Sequence, residues 1–84
     1  MARGTFSEAG FGTSVVINSS ANLSLKFSGT GSVTLQRFTN GTWNDIPGGT
    51  WTESTEDIIY SGSNQTQYRL ICTAASADIN WELE

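Results

Sequence analysis

Hydrophobic and polar side chains alternate with a period of two over most of this chain, and no segment shows a convincing period of 3.6. Period two sends successive side chains to opposite faces of an extended strand. Residues 31–46, GSVTLQRFTNGTWNDI, carry its strongest form. Val33, Leu35 and Arg37 point one way; Ser32, Thr34, Gln36 and Phe38 point the other. Thr39-Asn40-Gly41-Thr42 then reverses the chain, because Asn and Gly both tolerate the positive φ of a type I′ turn. Trp43 and Ile46 follow on the return strand, and Pro47-Gly48-Gly49 ends it.

Further strands follow from the same pattern. Residues 13–18 are β-branched and short. Leu23, Leu25 and Phe27 alternate with Ser24, Lys26 and Ser28. Residues 49–54 read as a short strand carrying Trp51, and residues 57–61 as another. Residues 66–73 put Tyr68, Leu70 and Cys72 on one face and Arg69, Ile71 and Thr73 on the other. Ile71 on the second face points to a central strand. Ile79, Trp81 and Leu83 alternate with polar residues to the last position. Turn residues recur roughly every 8–12 positions, the spacing of an all-β antiparallel sandwich. The expected fold is an immunoglobulin-like or fibronectin-III-like β-sandwich of about seven to eight strands. The inward candidates are Val15, Ile17, Leu23, Leu25, Phe27, Val33, Leu35, Trp43, Ile58, Tyr60, Tyr68, Leu70, Cys72, Ile79, Trp81 and Leu83.

Residues 1–12 hold three glycines, two phenylalanines and no clear period. They read as an N-terminal arm, and residues 13–84 as the single sandwich domain. Phe6 and Phe11 either fold back on the sheet or dock on a neighbour. With Trp51, which sits among Thr and Glu, they are the candidate partner-binding residues.

Composition narrows the role. A chain of 84 residues buries only about 60% of its unfolded surface, so its stability margin is thin. One cysteine allows no intrachain disulfide, and the absence of histidine leaves zinc few ligands. A partner surface remains as the staple, either another protein or further copies of the same chain. The net charge of −4 argues against nucleic acid and anionic membranes. No long apolar run or apolar leader is present in the sequence, so synthesis in a cytoplasm is expected. Four Asn-x-Ser/Thr sequons read as by-products of a polar surface.

No catalytic set emerges. Cys72 lies mid-strand among aliphatic neighbours and reads as a core residue. The serines lack a histidine base. Glu53, Glu56 and Asp57 share one short loop, read as a solvated turn, with a weak calcium loop as the sharper alternative. The expectation is therefore no enzyme, no cofactor and no metal centre. Trp43, Trp51 and Trp81 are either core residues or a sugar-stacking platform, with Trp51 the one expected to be exposed.

The order Leu23-Ser-Leu-Lys-Phe-Ser-Gly, Ser32-Val-Thr-Leu-Gln-Arg-Phe, Asn40-Gly-Thr-Trp and Gln67-Tyr-Arg-Leu-Ile-Cys-Thr resembles small virion proteins of tailed bacteriophages. In that group the hairpin tip tends to be a longer Asp-Gly-Gly turn; here it is Asn40-Gly41-Thr42. The resemblance implies an immunoglobulin-like sandwich on a virus particle. Its role would be that of a capsid decoration (cement) protein, or of a head–tail or tail accessory. The implied partner is a phage major capsid protein or another virion protein, and the implied location is the virion. A carbohydrate-binding module aiding host adsorption, with a glycan as partner, is the competing expectation.

Overall fold

The computed structural model describes residues 2–60 and 66–84. These residues form nine β-strands and no helix: β1 (Ala2–Phe6), β2 (Gly10–Phe11), β3 (Val15–Ile17), β4 (Ser20–Phe27), β5 (Gly31–Thr39), β6 (Thr42–Trp51), β7 (Thr55–Tyr60), β8 (Thr66–Ala75) and β9 (Ile79–Leu83). The polar turn expected over residues 62–65 lies outside the described residues. Two antiparallel sheets face each other, ordered β1-β9-β4-β7 and β2-β8-β5-β6, with β3 also paired to β8. The fold is thus the expected all-β antiparallel sandwich, with nine strands rather than seven or eight.

The two sheets are joined at one end by a pair of crossings laid side by side. β4 passes to β5 through residues 28–30, and β8 passes to β9 through residues 76–78. Ser76 ties them together: its amide donates to the Thr30 carbonyl at 2.8 Å, and its hydroxyl accepts from the Thr30 amide at 2.8 Å. Ser28 donates its amide to the Asp78 carbonyl at 3.0 Å. Backbone groups that leave the ladders are thereby satisfied.

Alternation fills the space between the sheets. Leu23, Leu25, Ile79, Trp81 and Leu83 come from one sheet; Ile17, Val33, Leu35, Tyr68, Leu70 and Cys72 come from the other. All are buried, and each large aliphatic among them contributes about 1.5–3 kcal/mol. The buried Thr34 shares a 2.9 Å hydroxyl contact with Thr50 across the β5–β6 pair. That contact removes the cost of an unpaired polar group.

The expected arm is instead part of the sandwich. β1 pairs with β9 from Ala2↔Leu83 to Phe6↔Ile79, and β2 pairs with β8 in the opposite sheet. Phe6 is buried and stacks on Trp81, with ring centroids 5.8 Å apart. The inward positions of β1 are Ala2, Gly4 and Phe6. Two of them are too small to register as hydrophobic, so the period is invisible in the sequence. Gly4 is small because Trp81 needs the room: a Cβ there would lie 3.0 Å from the indole Nε1.

Three other expectations change. Pro47-Gly48-Gly49 does not end a strand. The register jumps from Gln36↔Asp45 to Thr34↔Thr50, so residues 46–49 bulge opposite Leu35 and β6 runs on to Trp51. Gly48 carries the positive φ of 77° that the bulge requires. In β7 the inward residue is Ile59, set opposite Ala21, whereas Ile58 and Tyr60 face solvent. Two adjacent isoleucines left either phase open, and pairing with β4 decides it. Trp43, expected inside, lies half-buried on the outer face of the five-stranded sheet.

Candidate binding face

The outer face of the five-stranded sheet collects aromatic and polar side chains from four strands. β8 turns Tyr68, Leu70 and Cys72 inward, so Arg69 and Ile71 must point outward. β2 presents Phe11, 70% exposed, beside them. On β5, Gln36 and Phe38 take the outward phase, and the turn sets Trp43 of β6 directly opposite Phe38. The turn is the one foreseen, with Asn40 at φ 54° and Gly41 at φ 77°. Its register is locked by Asn44, whose side-chain amide donates to Thr39 Oγ1 at 2.9 Å.

These groups are braced against one another. The Arg69 guanidinium carbon lies 4.2 Å from the Phe11 ring centroid and 4.3 Å from that of Trp43. The two rings stand on strands to either side of β8. Arg69 Nε donates to Gln36 Oε1 at 2.8 Å, and Gln36 Nε2 donates to Asp45 Oδ1 at 2.8 Å. Phe38 and Trp43 meet with centroids 5.2 Å apart and planes tilted by 59°. Each cation–π contact at an exposed site contributes about 0.5–1 kcal/mol. Together with the amide bond they hold a long, rotamer-rich side chain in one place before any partner arrives.

The candidate residues part company. Phe6 is in the core and offers nothing to a partner. Phe11 is exposed and belongs to the row just described. Trp51, expected to be exposed, is half-buried against the core at the sheet edge, opposite Val33. Among the three tryptophans, Trp81 is core and Trp43 packs against Arg69 on the outer face. Glu56 accepts a short hydrogen bond from the Ser24 hydroxyl, while Asp57 Oδ1 accepts the Ile58 amide at 2.8 Å. As neighbours on a strand they point to opposite faces, and among the described residues no three acidic, cysteine or histidine side chains converge as a metal site. Cys72 is buried, its Sγ 3.2 Å from the Ala74 carbonyl, and burial pushes its thiol pKa up.

Sequence reasoning did not single out Arg69, Gln36, Phe38, Trp43 and Asp45 as a set. Four of the five had a signal: the Asn40-Gly41 turn fixes Phe38 against Trp43 and Gln36 against Asp45 by counting back from the tip. The approach of Phe11 to Arg69 joins residues 58 positions apart in sequence, and no local pattern encodes it. No family model, no curated protein and no solved structure matches the chain.

Proposed function

We propose that the protein is a non-enzymatic structural component of a tailed-bacteriophage particle, a capsid decoration protein that docks on the shell through the outer face of its five-stranded sheet. The observation that carries this reading is the braced row Phe11–Arg69–Trp43–Phe38. Aromatic residues and arginine are the side chains that dominate interface hot spots. A face already fixed in place loses little entropy on binding. The stretches that resemble phage virion proteins supply the kind of partner, a major capsid protein or a neighbouring virion protein. A head–tail or tail accessory would use the same face on a different protein. Repetition over a symmetric shell multiplies modest contacts into strong attachment.

The test uses particles that lack the protein. Purified protein is added, the particles are sedimented, and bound copies are counted. The expected result is a fixed stoichiometry that Phe11→Ser with Phe38→Ser abolishes. Absence of wild-type protein from the pellet overturns the virion reading.

A second reading has one observation in its favour. Phe11, Phe38 and Trp43 expose ring surface on one face, which suits stacking against sugars. It requires Trp43 fluorescence to change on titration with oligosaccharides, and particle binding to be absent.

A further inference from the structure

We infer that Arg69 is a carboxylate receptor, taking an Asp or Glu side chain presented by the protein that docks on this face. It rests on the docking reading above and adds the chemistry of the central contact. Two aromatic rings pack against the guanidinium, Phe11 at 4.2 Å and Trp43 at 4.3 Å from its carbon. The Nε edge is taken by Gln36 Oε1. Only the edge carrying the two terminal nitrogens remains. Among the described residues those nitrogens have no acceptor, and no buried side-chain nitrogen lacks a partner.

That edge is the fork that meets a carboxylate with two parallel hydrogen bonds. The rings hold it in orientation and lower the local dielectric, which strengthens a charge-assisted bond. Asp45 does not already fill it. Gln36 stands between them in the row, with the β6 and β8 backbones about 9–10 Å apart by strand spacing.

The surroundings favour a protein over an acidic sugar. A sugar ring offers many hydroxyls and needs several free polar groups. Here the Gln36 amide is committed on both sides, to Arg69 and to Asp45. The cationic fork is bordered by exposed apolar surface, Phe11, Val16 and Phe38. A single acidic side chain set in an apolar surface complements it.

The experiment follows the Arg69 Nε–H and Trp43 indole N–H signals by NMR. The probes are a capped leucine–glutamate–phenylalanine peptide, its glutamine counterpart and free glucuronate. The expected result is a saturable shift with the glutamate peptide and binding about tenfold weaker for the glutamine peptide. Arg69→Lys, which keeps the charge and loses the fork, should shrink the difference while the protein still melts cooperatively. Equal affinity for the two peptides, or no saturable shift, overturns the inference. Glucuronate binding tighter than the glutamate peptide overturns the protein partner in favour of an acidic glycan. The particle assay separates the two levels. If Arg69→Lys sediments as well as wild type while Phe11→Ser with Phe38→Ser does not, the docking face stands and the carboxylate contact falls. If neither variant loses binding, the face itself is wrong.

Discussion

A Cβ placed on Gly12 would sit 2.9 Å from Cζ2 of Trp81, closer than any real side chain approaches. Trp81 extends from the four-stranded sheet to the point where the N-terminal segment crosses to the other sheet. Gly4, Phe6 and Gly12 close around its indole. The Gly12 amide also donates to the Leu70 carbonyl at 2.8 Å, so the backbone there cannot drift outward without losing a bond. Gly12→Ala is therefore expected to cost about 1–3 kcal/mol through overpacking. Gly10, with open space around its missing Cβ, is the control, and Gly10→Ala should leave stability within about 0.5 kcal/mol. Urea midpoints of the two variants check the contrast; equal midpoints would refute it.

The N-terminal strands should be indispensable. β1 covers the edge of β9 over five residue pairs, and Phe6 fills core volume beside Trp81. Phe6→Ala is expected to cost about 3–5 kcal/mol, the range for a buried aromatic. For so small a domain that is most of its margin. Phe11→Ala, at a side chain 70% exposed, should cost no more than about 1 kcal/mol, its contact with Arg69 included. Removing residues 2–11 should abolish the cooperative thermal transition. A truncated chain that melts like the full one would show that β1 does not close the sandwich.

How far the sequence reaches can be judged from these elements. Strands rich in Val, Ile, Leu and Tyr declare themselves because alternation and burial coincide, as at Leu23–Leu25 and Tyr68–Leu70–Cys72. β1 does not, because Gly4, its central inward residue, makes room for Trp81 and leaves a gap in the hydrophobic period between Ala2 and Phe6. The bulge at residues 46–49 is hidden for a related reason. Pro47-Gly48-Gly49 carries the composition of a strand end, and only the register against β5 shows that pairing resumes at Thr50. The face around Arg69 was half readable. The Asn40-Gly41 turn sets one side of it, while Phe11 arrives through tertiary pairing alone.

The hairpin tip should be intolerant of β-branching. Gly41 sits at φ 77° with no neighbour within 4 Å of a would-be Cβ, so backbone strain is the only penalty. Gly41→Val should cost about 1–3 kcal/mol, and Gly41→Asn much less, since Asn tolerates this region. Melting temperatures of the pair test it: a valine variant as stable as the asparagine variant would mean the turn relaxes to another type.

Cys72 links stability to alkaline pH. Burial is the main cause of its raised thiol pKa, with a backbone hydrogen bond at Ala74 acting against it. In the unfolded chain the thiol ionises near its ordinary value of about 8.5. A group whose folded pKa is raised contributes stability that is complete below the unfolded value and is lost as pH rises through the folded one. Wild-type stability should therefore decline above about pH 8.5. Cys72→Ala, less stable at neutral pH through its cavity, should lose less of what remains. Denaturant titrations on either side of that pH measure the difference. A thiol reagent should label the native protein slowly and the unfolded protein at once; rapid native labelling would place Cys72 at the surface.

Fold and docking should separate cleanly on the outer face of the five-stranded sheet. Phe11 and Phe38 are 70% and 40% exposed, and neither belongs to the core. Their removal takes away one cation–π contact and one ring–ring contact. Contacts of these kinds contribute about 0.5–1.5 kcal/mol each, so Phe11→Ser with Phe38→Ser should lower stability by no more than about 3 kcal/mol. Binding should suffer more. Each phenylalanine covered by a partner contributes about 1.5–3 kcal/mol, and the loss of Phe11 also frees Arg69 to rotate, which removes the fixed orientation that binding uses. The double variant should keep wild-type circular dichroism and cooperative melting while losing at least about a hundredfold in particle affinity, as two such losses combine. The informative comparison is with Ile58→Ser and Tyr60→Ser, exposed on the outer face of the other sheet. If these weaken particle binding and the phenylalanine pair does not, the shell is gripped by the four-stranded sheet and the two faces exchange roles.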